Sequence, residues 1–157
     1  TGEPADLLYS WGVLHHTGSM WEAIENAMTL MAPGGEFYIA LYTTTERSDY
    51  WIRIKKEYNQ ASQLKKYWME TRYILGFIKR QLVAGKNPFS QILNYKKKRG
   101  MEYLTDVRDW LGGWPYEDAT VEEVQNFFQE RGWQQKNMKT GSGNINTEYL
   151  FTKISAE

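Results

Sequence analysis

Residues 6–42 constrain the fold of this chain more than any other segment, because they read as strand, turn, helix and strand in succession. The short apolar run at 7–11 is typical of a buried parallel strand. Gly12 then permits a sharp turn, and residues 36–42 are rich in strand formers. This pattern predicts a βαβ unit with parallel strands and a right-handed crossover.

The helix of this unit has a start and an end that can be read from the sequence. Ser19 followed by Glu22 is a capping box, which predicts a helix start at that point. Apolar residues then recur at helical spacing, namely Met20, Ile24, Ala27, Met28 and Met31. We expect the Pro-Gly-Gly run at 33–35 to end the helix.

The carboxyl ends of the two predicted strands are the expected ligand-binding edge, as in other open parallel sheets. His15 and His16 follow the first strand directly. They can shape a turn by bonding nearby backbone, or one of them can act as a general base at pH 7. No metal site is expected, because adjacent histidines on a turn point apart and the chain has no cysteine.

The charge and hydropathy of the chain indicate which kinds of partner it is expected to bind. The 157 residues include 19 Lys and Arg and 19 Asp and Glu, so the formal net charge is zero. This total favours neither nucleic acid nor a membrane as a partner. No apolar run reaches bilayer-spanning length and no signal peptide is visible, so a cytoplasmic protein is expected. The basic run at 96–99 is expected to be a solvated helix end.

The middle of the chain is predicted to be helical. Apolar residues at spacings of three and four over 48–83 indicate one long amphipathic helix, or two helices broken near Gly76. A further helical piece is predicted to begin at Pro88 and to end near Gly100. We therefore expect a single domain over 1–157 that contains a helical insertion, or lid, at 46–105.

The C-terminal third reads as one helix and two strands. Thr120 and Glu123 form a second capping box. Strands are predicted at 133–140 and 147–154, joined by a turn at 141–144. These two strands should form an antiparallel hairpin at the end of the sheet.

The segment DWLGGWPYE at 109–117 is unusual in its aromatic and glycine content. Two glycines next to tryptophans and a proline predict a tight loop rather than a helix. It is either a surface loop anchored by its aromatics or a substrate wall. In the second case Trp110, Trp114 and Tyr116 supply flat apolar surfaces and Glu117 a carboxylate.

Two segments carry a resemblance to a known family. The sequence SWGVLHHT at 10–17, with the helix and the Pro-Gly-Gly run in register after it, resembles class I S-adenosylmethionine (SAM)-dependent methyltransferases. A sub-group of that family has a WxGGxPxE loop like 110–117 and a closing Asn-x-Glu strand like 146–148. The helical stretch between them matches only in position. The resemblance implies an α/β fold, a partial Rossmann-like sheet equivalent to strands 4, 5, 6 and 7, with an antiparallel C-terminal hairpin and a helical insertion.

The resemblance also implies roles for individual residues. It implies a methyl transfer in which His15 or His16 is the catalytic base, and a cofactor, SAM, that lies beside Ser10, Trp11, Gly12 and Val13. The substrate, an unidentified small molecule, is expected to contact Tyr42, Trp110, Trp114, Tyr116, Glu117 and Asn146.

One departure from the family is large. The glycine-rich loop after its first strand, and the acidic residue after its second, have no counterpart in this sequence. The chain therefore resembles the C-terminal half of the fold and is expected to bind SAM weakly or not at all by itself. Without a neighbouring strand, residues 7–11 would form an exposed apolar edge. We expect that two chains pair along this edge as a homodimer, or that the long helices cover it.

Two further functional readings remain open from the sequence. One is a non-catalytic binding or assembly module that dimerises through its sheet edge. The other is a fragment of a different α/β enzyme such as a dehydrogenase. It is the less favoured of the two, because the GVLHHT and Pro-Gly-Gly pairing and the terminal hairpin are methyltransferase features.

Overall fold

The computed structural model describes residues 2–141 and 146–154 of the α/β chain. The chain divides into two compact units. The first, here called the sheet unit, comprises Thr1–Ile52 and Pro115–Glu157. The second, here called the helical unit, comprises Arg53–Trp114.

Strands and helices alternate at the two ends of the chain, and the segment between them is helical. The strands are Ala5–Trp11 (β1), Met31–Tyr42 (β2), Trp133–Lys139 (β3) and Asn146–Lys153 (β4). A single 3₁₀ turn lies at Leu14–His16. The helices are Met20–Met28 (α1), Ser48–Gln60 (α2), Gln63–Val83 (α3), Pro88–Leu93 (α4), Tyr95–Arg99 (α5), Tyr103–Gly112 (α6) and Val121–Gln129 (α7).

The four strands form one sheet in the order β1-β2-β4-β3. β1 and β2 are parallel, and β4 runs antiparallel to both β2 and β3. The parallel pair and the antiparallel C-terminal hairpin confirm the predicted fold class. The predicted hairpin turn at 141–144 lies, from Ser142 onward, outside the described residues.

One face of the sheet carries the core of the sheet unit. β2 contributes Phe37, Ile39 and Leu41, and α7 contributes Val124 and Phe128, all of which are almost completely buried. Phe128 stacks on Phe151 of β4 with 3.8 Å between the ring centroids. This aromatic packing joins α7 to the sheet.

β1 lies at an edge of the sheet, and its exposure differs from what its apolar sequence predicts. Leu7 is 61% exposed and Tyr9 is 67% exposed. Ala5 and Leu8 pack against the core, while Tyr9 stacks on Tyr38 of β2 at 5.3 Å. The prediction of a strand is confirmed. The exposure of Leu7 and Tyr9 agrees with the expectation of an open apolar edge, whereas the interpretation of the run as a buried strand is wrong.

Helix α1 ends earlier than the sequence predicts. It ends at Met28, and Thr29 is its C-cap. The run at 33–35 therefore does not stop the helix. It lies within β2, which already pairs with β1 through Met31 and Ala5.

The helical unit corrects two further sequence predictions. The break in the long helical stretch lies at Ser62, whose hydroxyl accepts a hydrogen bond from the Lys65 N–H, and not at Gly76. Gly76 lies inside α3 at the modest cost that glycine has in a helix. Residues 109–112 are also helical rather than a tight loop, because Val107 and Leu111, four residues apart, are both buried and continue α6 to Gly112.

Two polar contacts hold the interior of the helical unit. The buried Glu70 carboxylate accepts hydrogen bonds from the Tyr58 hydroxyl, at 2.7 Å, and from Arg108 Nε, at 3.2 Å. The almost fully buried Lys55 donates to the Trp110 carbonyl, and its ammonium nitrogen lies 4.1 Å from the centre of a Trp110 ring. The Tyr58 contact joins the neighbouring helices α2 and α3, and the contacts of Arg108 and Trp110 join α6 to these two.

Candidate active site at the carboxyl edge of the sheet

An aromatic cluster lies where β1 and β2 end. The buried His15 ring is 4.0 Å from the Tyr42 ring, and the His16 ring is 5.5 Å from it. Tyr42 stacks on Tyr116 with 4.8 Å between the ring centroids. The structure thus brings together four of the residues predicted for the site. They are positioned by the end of β2, the 3₁₀ turn after β1 and the segment after Pro115.

The hydrogen bond of His16 fixes its tautomer. Nδ1 of His16 lies 2.6 Å from the carbonyl oxygen of Pro115. A carbonyl oxygen can only accept, so Nδ1 carries the proton, and in the neutral ring Nε2 keeps a lone pair. His16 is also partly exposed, whereas His15 is completely buried. Of the two histidines, His16 therefore has the geometry of a proton acceptor.

Backbone contacts join the segment at 115–117 to the turn that follows β1. The Glu117 N–H donates to the carbonyl oxygen of His15 over 3.0 Å. Gly18 has a φ of +81°, and a Cβ at this position would lie 3.3 Å from Cγ of Pro115. A side chain at position 18 would therefore be strained and crowded. These contacts give the two histidines a fixed backbone.

Burial raises the pKa of Tyr116 well above the usual value for tyrosine, and the nearby Asp118 carboxylate raises it further. The hydroxyl therefore stays protonated near neutral pH. Tyr116 acts in this cluster as a neutral ring and a potential hydrogen-bond donor, and not as a base.

Glu117, which the sequence suggests as a substrate carboxylate, caps helix α1. Both of its carboxylate oxygens lie 3.1 Å from the Met20 N–H. Ser19, the predicted cap, makes no side-chain capping hydrogen bond. The predicted helix start is therefore correct, but the capping box is wrong. The cap comes from a residue 97 positions away in the sequence. Its negative charge also interacts favourably with the dipole at the N-terminus of α1.

This cap gives a direct prediction. Glu117→Ala should lower the free energy of unfolding by about 1–2 kcal/mol, because it leaves the first turn of α1 without its acceptor. Ser19→Ala should change it by less than about 0.5 kcal/mol, although it removes the residue that the sequence marks as the cap. Urea unfolding of both variants measures this difference. A larger loss of unfolding free energy for Ser19→Ala than for Glu117→Ala would show that Ser19, and not Glu117, caps the helix.

The residues predicted to bind the cofactor lie together at the end of β1. Ser10 and Trp11 end the strand, Gly12 turns the chain at a φ of +73°, and Val13 is exposed. A Cβ on Gly12 would lie 3.6 Å from the side-chain nitrogen of Asn146. Among the described residues, no hydrogen-bond partner lies within reach of the buried Asn146 Oδ1. The backbone at Gly12, which carries no side chain, and the amide oxygen of Asn146 are groups that a polar ligand such as SAM could contact. Together they form only part of a binding site.

Trp110 and Trp114 belong to the helical unit. Trp110 packs on Lys55 within that unit, and Trp114 is at its C-terminal end, 39% exposed. Their role as substrate contacts remains a prediction.

Sequence reasoning missed several contacts near the end of β2. The Ser48 hydroxyl donates to the Asp118 carboxylate, and the hydroxyls of Thr43 and Thr147 share a hydrogen bond. Each pair is distant in sequence and none forms a motif, so no local signal could have shown them. Within 2–141 and 146–154, no group of three His, Asp or Glu side chains is placed to hold a metal ion.

Comparison with known proteins shows similarity at the level of structure. No family model matches the sequence, and no curated protein matches it. The structure of PKMT2 from Rickettsia typhi in complex with AdoHcy is 12% identical, with a TM-score of 0.58 over 96% of this chain and 36% of that one. An O-methyltransferase family protein from Burkholderia thailandensis is 13% identical, with a TM-score of 0.47 over 99% of this chain and 32% of that one.

A complex of LepI with SAM is 9% identical, with a TM-score of 0.42, and covers 96% of this chain and 27% of that one. The chain thus spans about a third of the length of the solved structures that it resembles. At these identities the similarity concerns the fold. The chain therefore has a methyltransferase-like α/β fold.

Proposed function

We propose that this chain forms the substrate-side part of a SAM-dependent methyltransferase that acts on a small molecule. The observation that carries the proposal is the sheet order, in which the last strand runs antiparallel between β2 and β3. The predicted site residues of the sheet unit lie at the carboxyl edge of the parallel pair, where such sheets bind ligands. The similarity in fold to a structure that contains AdoHcy supports the same assignment.

The residues that would contact the cofactor are Ser10, Trp11, Gly12 and Val13. Asn146, which the sequence suggests as a substrate contact, is proposed to join them because its amide lies beside Gly12. When bound, SAM supplies an electrophilic methyl group on a sulfonium. Gly12 offers backbone without a side chain, and Asn146 offers an unused acceptor. Because the sequence contains no glycine-rich loop, these residues supply one wall of a site. The affinity of the chain alone should therefore be low.

His16 is the proposed proton acceptor. Its Nε2 lone pair is available to take a proton from an O–H or N–H acceptor group, because Nδ1 is held by the Pro115 carbonyl. His15 and Tyr42 position the His16 ring by packing against it, at 4.5 and 5.5 Å between ring centroids. The remaining contribution of the chain is to align the acceptor and exclude water.

A titration of the folded chain with AdoHcy, followed by NMR, tests the proposal. We expect millimolar affinity, with shifts confined to the amides of Trp11 and Gly12 and the side chain of Asn146. Asn146→Leu should abolish the shifts, whereas Asn137→Leu, on the exposed β3, should not. The absence of shifts at these positions in a folded sample would overturn the assignment. Micromolar affinity would indicate that a second chain completes the site.

A non-catalytic assembly module is the second candidate function, favoured by the open edge at β1. Antiparallel pairing of two β1 strands about Leu8 would place Leu7 opposite Tyr9, and Asp6 opposite Ser10, so no like charges would meet. Sedimentation of the sample used for the titration separates the two candidates. A stable dimer that fails to bind AdoHcy supports the assembly module.

A further inference from the structure

Helix α3 has two apolar faces, and only one of them is used inside the helical unit. Met69, Tyr73 and Ile74 pack in that unit's core. At ~100° per residue, a second row lies on the opposite side of the helix. This row, here called the apolar stripe, consists of Leu64, Trp68, Leu75 and Leu82, which are 83%, 58%, 59% and 60% exposed.

The stripe is too regular and too long to be a chance scatter of exposed apolar residues. It runs along a helix of 21 residues, which is about 30 Å in length. Single exposed apolar side chains are normal on protein surfaces, but four large ones on one side of a single helix are typical of an interaction site.

The charge of the helical unit is the second observation. Residues 53–114 contain 14 Lys and Arg but 5 Asp and Glu, a net charge of +9. The rest of the chain contains 5 and 14, a net charge of −9, so the total of zero conceals two strongly charged halves. The expectation that the chain has no membrane partner rested on that total.

The positive charge lies beside the stripe. Arg72 and Lys79 are within about 80° of its centre on the helix, and the Arg72 guanidinium lies 5.4 Å from the Trp68 ring. In the described part of the chain, neither cation forms an ion pair, whereas Glu57, Glu70, Glu102 and Asp106 are each paired with another Lys or Arg. The cations next to the stripe therefore remain available to an external anion.

We propose that the apolar stripe of α3 docks on an anionic lipid surface, with Arg72 and Lys79 contacting the lipid phosphates. Leucine and tryptophan on one side with Lys and Arg beside them are the pattern of a helix that lies in the plane of a membrane interface. Nucleic acid would use the cations but would leave the leucines in water. A second α3 would use the leucines but would bring like charges together. Of these three partners, the lipid surface uses both the leucines and the cations.

Vesicle sedimentation with the full chain tests the proposal. We expect binding to phosphatidylcholine vesicles that contain phosphatidylserine, weak binding to phosphatidylcholine alone, and release by salt. Leu64→Ser/Leu75→Ser should weaken binding by about tenfold or more, because two apolar side chains no longer enter the interface. The matched control is Leu30→Ser/Ile154→Ser, which replaces two exposed apolar residues of the sheet unit and should leave binding unchanged.

Several outcomes overturn the proposal. These are equal binding to both vesicle types, no binding to either, and anionic binding that survives the serine pair in α3. Binding of a DNA duplex that is unaffected by the serine pair would assign the cations to nucleic acid. Self-association without vesicles that the pair abolishes would assign the stripe to a second copy. Because no cofactor is present, the result is independent of the methyltransferase assignment.

Discussion

Phe128→Ala should lower the free energy of unfolding by about 3–5 kcal/mol, one of the two largest effects that we expect. Phe128 is completely buried and stacks on Phe151. Its ring also lies 5.7 Å from that of Phe37 and 6.0 Å from that of Trp133. Truncation would leave a cavity at the contact that holds α7 on the sheet. Small domains are stable by only about 5–15 kcal/mol, so the variant should be partly unfolded at 37 °C.

The neighbouring residue supplies the control. Phe127 is on the same helix but only half-buried, against Trp21 and Arg131. Phe127→Ala should cost about 1–2 kcal/mol, because much of its ring already contacts water. Urea unfolding followed by circular dichroism compares the two variants. Equal losses would contradict the view that α7 docks through Phe128.

Raising the pH from 8 towards 10 should stabilise the helical unit, the second large effect. Burial lowers the pKa of Lys55 to about 8, although the nearby Asp109 carboxylate acts in the opposite direction. In the unfolded chain the lysine keeps its proton up to about pH 10.5. Between these values the unfolded state binds more protons, so stability rises with pH, by on the order of 2–3 kcal/mol. The gain is lost again as the pH falls from about 10.5 to about 8, and below that both states hold the proton.

Tyrosines set the upper limit of this window. Burial and the Glu70 hydrogen bond raise the pKa of Tyr58 to about 12, and burial raises that of Tyr103 to about 12. The stability that these two tyrosines contribute is fully present below pH 10 and is lost as the pH rises to 12. The rise due to Lys55 must therefore be measured below pH 10.

The matched variants for this prediction are Lys55→Met and Lys56→Met. The first should flatten the pH dependence between 8 and 10, because the buried titrating group is gone. The second replaces an exposed neighbour and should leave the profile unchanged. Urea unfolding at several pH values gives both profiles. A flat profile in the unsubstituted chain would show that Lys55 titrates normally in the folded state.

The sequence predicted features that depend on neighbouring residues, and it failed where distant residues compete. The capping box of Thr120 and Glu123 forms as predicted, because both partners lie within one turn. The equivalent box at Ser19 does not form: the Ser19 N–H donates to the Thr17 hydroxyl, and the cap that the helix has is the distant Glu117 carboxylate on the Met20 N–H. Local pattern gave the start of α1 correctly but could not identify which acceptor satisfies it.

The candidate site follows the same rule. The βαβ pattern locates the strand ends and the histidines that follow them. The contact of His15 with Tyr42 could therefore be predicted from the sequence. The hydrogen bond of His16 to Pro115 joins residues 99 positions apart and determines which ring nitrogen is basic. The two glycines at 112 and 113 predicted a loop, but burial of Leu111 extends the helix to Gly112. The charge division was present in the sequence, yet it appears only when charges are counted by segment.

The position of β4 between β2 and β3 has a consequence for how the protein is made. β4 is the last of the four strands to leave the ribosome, but it pairs with both of these neighbours. Until it emerges, β2 and β3 have no strand between them, and apolar side chains such as Phe37 and Trp133 lack their cover. During synthesis the nascent chain therefore has two strand edges without their partner, which is an aggregation hazard. A stop codon ahead of Asn146 would leave the sheet permanently in that state.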